Sequence, residues 1–367
     1  MKINARIVAG AFALLCLLAT GTLPAKAAYY DNKTITILIG FGAGGGIDRA
    51  AQLLAKHLKH HIPGSPQVIV KSMPGAASMK AHNFLYERGG TDGQTLLLGP
   101  WLPVSQLIGA PGIRFKYQDF TVIGGARTPG YTTYARTDVI PGGLKTSTDI
   151  VKAKNLRVAG TARDGAFLLY GRFALDLLGV KYQTVYGYRG AAKMRAAVLG
   201  NEANFATGSV NGYYSYLKRN MVDTGKVKVL WTLPNIDDDG NYVRNPNIPN
   251  VPSFLDVYRQ IKGGDPSGPV WDVFNMILQL TASVNQLVLG PPHMNDEASA
   301  ILIKAYYETE ADPDFRREAK KAFGIVPPPV PLKTVDKVVQ SMSKVDPALV
   351  KRLVAHINSA GQAKGKK

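Results

Sequence analysis

The glycines that follow the first apolar run are the residues of this sequence best suited to chemistry. Gly40-x-Gly42-x-x-Gly45 follows the β-branched run 35–39 and precedes Asp48, where an amphipathic helix pattern begins. A glycine loop between a strand and a helix leaves backbone N–H groups unpaired at the positive end of the helix dipole. The sequence therefore predicts an anion-binding site. Its ligand is a cofactor phosphate, a reacting substrate or a carboxylate that is only held.

The glycine spacing also matches the dinucleotide-binding fingerprint. That fingerprint needs an acidic residue after the second strand to hold a ribose, but the apolar run 68–70 ends in Lys71 and Ser72. Asp48 would in addition repel a pyrophosphate. We therefore predict no cofactor, and a dinucleotide-dependent oxidoreductase is the least favoured alternative.

Other catalytic patterns are weaker. His57, His60 and His61 are spaced so that all three could share a helix face and bind a metal. A basic, solvent-facing helix end, whose imidazoles favour the negative end of the dipole, is the favoured explanation. The sequence contains no zinc-protease, serine-hydrolase or Walker motif. We predict no metal site and no enzyme; the alternative from another class is an exported enzyme that acts on an anionic substrate.

The N-terminus has the pattern of a secretory signal peptide. Lys2 and Arg6 precede the apolar run 7–18, and a small-x-small signal predicts cleavage after Ala27. A membrane anchor is the alternative, but the apolar stretch is too short to span a bilayer comfortably. The single cysteine, Cys16, lies in this segment, so the mature chain has no thiol or disulfide chemistry. We predict a periplasmic protein.

Composition narrows the class of ligand. The chain has 367 residues, of which 46% are hydrophobic, and is long enough for two domains. Its formal net charge is +18, and such a positive field favours small anionic ligands. Nucleic acid is not a predicted partner, because the chain is exported and its lysines are scattered.

Strand and helix patterns alternate, which predicts an α/β fold with mainly parallel sheets. Strand–glycine turn–helix units occur twice in each half, and such turns meet at the C-terminal edge of a sheet, where α/β folds bind ligands. We predict a signal peptide over residues 1–27, a first domain over 28–127, a second domain over 128–239 and a return to the first domain over 240–367.

Individual elements follow from local patterns. The apolar runs 68–70 and 95–98 predict strands, and the apolar periodicity of 296–310 predicts a late helix. A second late helix is predicted over 313–323, because Asp312 is a good N-cap and proline suits the first helical position.

The turns resemble those of a known family, the extracytoplasmic substrate-binding receptors of tripartite tricarboxylate transporters, also called Bug receptors. The first family signature, Pro-Gly-Gly-x-x-Asp after a strand, is similar to Ala43, Gly44, Gly45 and Asp48, with alanine in place of proline. The second, Asn-x-Pro-Gly-Ala-Gly-Gly, is similar to residues 72–78, which read Ser-Met-Pro-Gly-Ala-Ala-Ser.

The resemblance continues to the end of the mature chain. Residues 92–96 resemble the family's Asp-Gly-x-Thr-Leu, residues 160–166 its Gly-Ser…Gly-Ser turn, and residues 188–190 its Tyr-Lys-Gly. Asn204 stands where the family usually has an aspartate. The charged pair at 163–164 adds charge to a loop that is normally small.

This resemblance implies a two-domain periplasmic-binding-protein (Venus flytrap) fold without catalytic activity. It implies that a di- or tricarboxylate is captured between the domains and delivered to integral-membrane permease subunits. We also predict a monomer. Backbone N–H groups of residues 41–48 and 74–78 would hold one carboxylate, and second-domain residues the ligand's other end. The candidate ligand-binding residues are Phe41, Ala43, Gly44, Gly45, Gly46, Asp48, Pro74, Gly75, Ala76, Ala77, Ser78, Trp101, Thr161, Arg163, Gly165, Ala166, Arg189 and Ser209.

Overall fold

A computed structural model describes residues 27–42, 44, 46–127, 129–188, 190–237, 241–326, 328–359 and 364–365. The predicted signal peptide, apart from its last residue, lies outside the described residues. None of the helices in the described part of the chain combines the length and apolar character needed to cross a membrane.

Thirteen strands are described. In chain order they are β1 (Thr34–Ile39), β2 (Gln67–Ser72), β3 (Thr95–Pro100), β4 (Phe120–Ala126), β5 (Tyr131–Arg136), β6 (Leu156–Gly160), β7 (Tyr182–Tyr186), β8 (Phe205–Ser209), β9 (Val227–Thr232), β10 (Asn235–Ile236), β11 (Tyr242–Val243), β12 (Gln286–Pro292) and β13 (Lys364–Gly365).

The longer helices pack around these strands. They are α1 (Gly46–Leu58), α2 (Met79–Arg88), α3 (Pro103–Leu107), α4 (Ala166–Leu178), α5 (Ala191–Leu199), α6 (Phe254–Lys262), α7 (Pro269–Thr281), α8 (Asp296–Ala311), α9 (Pro313–Phe323), α10 (Leu332–Ser341) and α11 (Pro347–Ser359). After β8, a short helical turn (Val210–Gly212) leads into a π-helix (Tyr213–Val222).

Sheet 1 has the strand order β2-β1-β3-β12-β4. The strands β1, β2 and β3 are parallel, so their C-terminal ends lie at one edge, whereas β12 runs antiparallel to both of its neighbours. Ile35, Ile37 and Ile39 of β1 are fully buried, which explains why an almost unbroken apolar run forms this central strand. The loops after these three parallel strands therefore share one edge.

Sheet 2 has the order β13-β7-β6-β8-β5-β9. The strands β6, β7 and β8 are parallel, and β5 is antiparallel to both β8 and β9. Each sheet is mixed but mainly parallel, as predicted. Among the described strands, one in each sheet runs against the others: β12 in sheet 1 and β5 in sheet 2. The parallel part of each sheet is the part that carries the glycine turns.

Helices divide between the two sheets. We refer to sheet 1 with α1, α2, α8, α9 and α10 as the first lobe, and to sheet 2 with α4 to α7 and α11 as the second lobe. Residues 254–281, which the sequence assigned to the first domain, pack on the second lobe, where Phe274 stacks on Phe173 at 5.4 Å. We propose that the domains correspond to these lobes.

Candidate functional site

Gly40, the first glycine of the motif, has a packing role. A Cβ atom placed on Gly40 would lie 1.9 Å from Oγ of Ser78, which is fully buried. In addition, Met73 donates its N–H to the Ile39 carbonyl at 2.8 Å. Gly40 therefore lets the loop after β2 lie directly on the end of β1, a requirement that is independent of any phosphate.

The loop after β1 is exposed and braced by its own aspartate. Gly44 has a positive φ of 81°, and its N–H donates to Oδ2 of Asp48 at 2.7 Å. A Cβ on Gly44 or Gly46 would meet no atom within 4 Å, so the backbone here faces open space. Asp48 thus accepts the N–H of Gly44, one of the backbone donors that the sequence analysis expected to bind the ligand. Ala43 and Gly45 lie outside the described residues.

The loop after β2 takes an uncommon left-handed path. Four consecutive residues have positive φ, namely Gly75 (151°), Ala76 (46°), Ala77 (52°) and Ser78 (84°). Such a backbone costs about 1–2 kcal/mol for each residue that carries a Cβ. The N–H of Ser78 is used within the turn, where it donates to the Gly75 carbonyl at 3.0 Å. Among the described residues, the N–H groups of Ala76 and Ala77 meet no backbone acceptor, and both residues are exposed.

A buried hydrogen-bond chain supports this turn from below. His82 Nδ1 lies 2.9 Å from the Ser78 carbonyl oxygen, and its Nε2 lies 3.2 Å from the hydroxyl of Tyr117. The N–H of Leu102 donates to the same hydroxyl at 3.1 Å. Burial lowers the pKa of His82 to about 4, so the imidazole is neutral and can donate at one nitrogen and accept at the other.

The sequence did not predict these buried hydrogen bonds. His82 follows Ser78 by one helical turn, which is a usable signal, but Tyr117 comes 35 residues later, on the approach to β4. Only the fold brings the two together.

In the second lobe, the turns after β6 and β7 lie side by side. The N–H of Gly187 donates to the Thr161 carbonyl at 3.2 Å, and the N–H of Tyr188 donates to the Gly160 carbonyl at 3.3 Å. These turns lead into α4 and α5, whose N-cap residues are Gly165 and Gly190. Two helix N-termini therefore open at the same edge of sheet 2.

These helices begin without the side-chain cap that several other helices have, a feature that they share with α7 and α10. The side chains of Ser253, Asn295 and Asp312 cap α6, α8 and α9 by accepting backbone N–H groups. By contrast, α2, α4 and α5 have no hydrogen bond from a side-chain cap. A helix leaves four N–H groups unsatisfied at its start unless a cap or a ligand accepts them. The helices at the two glycine-turn edges therefore have donors available to an anion.

The remaining candidate residues occupy varied positions. Thr161 is half-buried, and Arg163, Ala166 and Pro74 are exposed. Phe41 is half-buried, and its carbonyl accepts from the hydroxyl of Ser72 at 2.6 Å. Arg189 lies outside the described residues.

Two side chains are engaged in structural contacts. Trp101 was expected to contact the ligand, but it is only 5% exposed, and its indole N–H donates to the Leu280 carbonyl at 2.8 Å. It is a core residue at the junction of the lobes, because an indole can be buried when its N–H is paired. Ser209 accepts the N–H of Gly212 at 3.1 Å and caps the helical turn after β8.

The two edges are joined by a direct side-chain contact. Ser105, on α3 after β3, donates its hydroxyl to Oδ2 of Asp164 at 2.9 Å. Asp164 lies in the turn after β6, so the bond connects the parallel-strand edge of sheet 1 to that of sheet 2. The two sets of unpaired amides thus belong to one interlobe region.

Asn204 and the three histidines lie outside this region. Asn204 lies just before β8, where it accepts the N–H of Arg157 at 2.7 Å and donates to the Asn155 carbonyl at 3.2 Å. An aspartate could not make the second bond. His57 and His61 contact Glu318 and Asp312 on α9, and no group of three metal-ligating side chains occurs in the described part of the chain.

Two lobes of helix-flanked mixed sheets, with loops converging between them, define a two-lobed solute-binding fold. Comparison with known proteins agrees with this class. No protein-family model matches the chain. A UPF0065 protein encoded in the TAR-I ttuE–ttuC′ intergenic region of Agrobacterium vitis is 28% identical over 221 residues, which cover 58% of this chain and 62% of the relative. The chain thus matches less than two thirds of that relative's length.

Solved structures match over almost their whole length. The periplasmic binding protein BugD is 20% identical, with a TM-score of 0.62 over 90% of this chain and 99% of BugD. MatC of Rhodopseudomonas palustris, solved with bound malate, is 18% identical, with a TM-score of 0.62 over 86% of this chain and 98% of MatC. A TctC solute-binding protein from Polaromonas is 18% identical, with a TM-score of 0.59 over 87% of this chain and 98% of that protein.

These matches confirm two predictions from the sequence. The chain has the periplasmic-binding-protein fold, and its resemblance to the receptors of tripartite tricarboxylate transporters is confirmed by a UPF0065 homologue and by structural neighbours of the TctC and BugD type. At these identities the structural likeness concerns the fold. The ligand and its contacts have to be argued from this chain's own residues.

Proposed function

We propose that the chain is a periplasmic solute-binding receptor that captures a carboxylate between its two lobes. The observation that carries this proposal is the set of uncapped backbone donors at the two facing edges. Ala76 and Ala77 offer N–H groups from the first lobe, and the starts of α4 and α5 offer them from the second. Backbone donors at helix N-termini favour an anion without requiring a basic side chain.

The proposed ligand is a di- or tricarboxylate, with one carboxylate on the turn after β2 and the rest of the molecule toward the second lobe. MatC, which shares the fold, was solved with malate. That observation supports a carboxylate ligand here. We further propose that the receptor is a monomer and delivers its ligand to the integral-membrane subunits of a tripartite tricarboxylate-type transporter.

We propose that the chain is not an enzyme. Ser78 and His82 are the pair that most resembles a nucleophile and its base, with Oγ and Nδ1 3.4 Å apart. Both side chains are fully buried, so no substrate can reach the hydroxyl. The pair is better explained as support for the turn above it.

A thermal-shift screen of the chain from residue 28 onward tests this function. The panel contains mono-, di- and tricarboxylic acids, the diamides of the dicarboxylic acids, nucleotides and nicotinamide cofactors. A ligand at a concentration of about 100 Kd stabilises the native state by about 2.7 kcal/mol. We expect stabilisation by at least one carboxylic acid and none by its diamide. Stabilisation by nucleotides alone would overturn the proposal.

A further inference from the structure

The side-chain carboxylate of Asp164 lies between the lobes, in a loop that is expected to contact the ligand. The N–H of Gly165 donates to the Ala162 carbonyl at 3.2 Å, which forms a tight turn with Arg163 and Asp164 at its tip. Arg163 is exposed, whereas Asp164 is half-buried and directed toward the first lobe. The direction is fixed by Ser105, which is 9% exposed and donates to Oδ2 at 2.9 Å.

Oδ1, the second carboxylate oxygen of Asp164, can accept further hydrogen bonds. Among the residues that the structure describes, none donates a hydrogen bond to Oδ1. An ionised carboxylate accepts hydrogen bonds at both oxygens and donates none. A ligand that fills the interlobe region removes water from this oxygen, and a carboxylate that loses water without gaining a donor is penalised. A ligand that brings a donor avoids that penalty.

We propose that Asp164 is a specificity-determining residue that accepts a hydrogen bond from a hydroxyl or ammonium group on the body of the ligand. This inference rests on the proposed function and narrows its substrate class to hydroxy- or amino-carboxylates. The ligand's carboxylate stays with the amides of Ala76 and Ala77, because like charges repel at the Asp164 end. Ser105 acts through Asp164 and is a positioning residue.

Calorimetry on three matched series of acids tests the inference. The series are propionate, lactate and alanine; succinate, malate and aspartate; and glutarate, 2-hydroxyglutarate and glutamate. Within a series the members differ only in hydrogen, hydroxyl or ammonium at one carbon. In the series that binds, we expect a donor-bearing member to bind roughly 10- to 100-fold more tightly than the unsubstituted acid, the range for a hydrogen bond to a charged group. The hydroxyl and ammonium members separate the two donors.

Variants assign the preference to Asp164. Asp164→Ala should bring the affinity ratio between substituted and unsubstituted acid close to one, and Ser105→Ala should reduce it in part because the carboxylate is then free to turn away. Asp223→Ala is the matched control. Asp223 directly follows the π-helix and pairs with Lys218 of that helix, so the affinity ratio should not change. A ratio within one protein is insensitive to a general loss of stability.

Each result is decisive. Equal affinity across a series that binds, or a ratio that survives in Asp164→Ala, overturns the inference and leaves the proposed carboxylate receptor in place. If the wild-type chain binds no acid of any series and no acid in the thermal-shift screen, the proposed function fails and the inference falls with it.

Discussion

The ring nitrogen Nε2 of His82 lies 3.2 Å from the hydroxyl oxygen of Tyr117, and this contact couples two loops of the candidate site. His82 also binds the carbonyl of Ser78, the last residue of the left-handed turn, and Tyr117 accepts the N–H of Leu102, just after β3. The conformations of the two loops are therefore fixed by one set of hydrogen bonds, which is centred on the fully buried side chains of His82 and Tyr117.

Removing the hydroxyl of Tyr117 should destabilise the protein. Tyr117→Phe leaves the Leu102 N–H and the His82 ring nitrogen without their partner, and a buried unpaired polar group costs about 1–3 kcal/mol. The matched control is Tyr86→Phe, whose hydroxyl bonds Asp119 in an exposed position, and its cost should be smaller. Urea denaturation measures both free energies of unfolding. Equal losses of unfolding free energy for the two variants would show that the buried hydrogen bonds of Tyr117 contribute no more than the exposed hydrogen bond of Tyr86.

His82 should make stability depend on pH. Burial lowers its pKa to about 4, whereas the ordinary value is about 6.5. Between these values the unfolded chain binds a proton that native His82 does not, so the free energy of unfolding falls as pH falls from 6.5 toward 4. The contribution is complete above pH 6.5. Its loss between pH 7 and pH 5 should be about 2 kcal/mol.

Comparison with His82→Gln isolates this contribution. Burial also raises the pKa of Glu310 to about 7, and this carboxyl acts in the opposite direction because the native state then retains the proton. Both proteins keep Glu310, so the difference between their unfolding free energies at pH 7 and pH 5 reports His82 alone. NMR titration of the His82 ring in the wild-type chain gives the pKa directly. A midpoint near 6.5 would contradict the prediction.

Local patterns predicted many elements because local sequence determines them. The run 95–98 corresponds to β3, the helix predicted at 313–323 has those bounds in the structure, and Asp312 caps it as predicted. These features depend on residues close together in the chain. The π-helix after β8 was not predicted, since no apolar periodicity distinguishes it from an α-helix.

The candidate site was predictable as a set of turns but not as a set of contacts. Gly40 and Gly44 look alike in the sequence, yet one is needed for close packing and the other for a positive φ. Trp101 looked available for a ligand, but the Leu280 carbonyl already pairs its indole. Such roles depend on which distant residues the fold brings near.

Gly40 and Gly42, two of the glycines of the first loop, offer a direct test of the packing role of Gly40. A Cβ on Gly40 would overlap Ser78, whereas a Cβ on Gly42 would meet nothing within 4 Å. Gly40→Ala should therefore cost about 1–3 kcal/mol or more, the usual range for overpacking. Gly42→Ala should be neutral or slightly stabilising, because alanine reduces the entropy of the unfolded chain. Thermal and urea denaturation measure the stability of both variants. A Gly40→Ala variant as stable as the wild type would refute the packing role.

Gly75→Val tests whether the left-handed turn binds the ligand. Gly75 has a φ of 151°, a backbone conformation that valine rarely adopts, so we expect the variant to turn the amides of Ala76 and Ala77 away. A hydrogen bond to a charged group is worth roughly 1.5–3 kcal/mol. Loss of two should weaken carboxylate binding by roughly 10²- to 10⁴-fold, since 1.4 kcal/mol is tenfold.

Gly225→Val is the control that separates backbone strain from ligand binding. Gly225 also has a positive φ, of 70°, with open space around its Cβ position, and it precedes β9. Because β8 and β9 both run antiparallel to β5, the start of β9 lies at the edge opposite the candidate site. Both variants should lose stability through strain, but only Gly75→Val should lose affinity in calorimetry. If a folded Gly75→Val variant binds its carboxylate as the wild type does, the turn is structural and the ligand lies elsewhere.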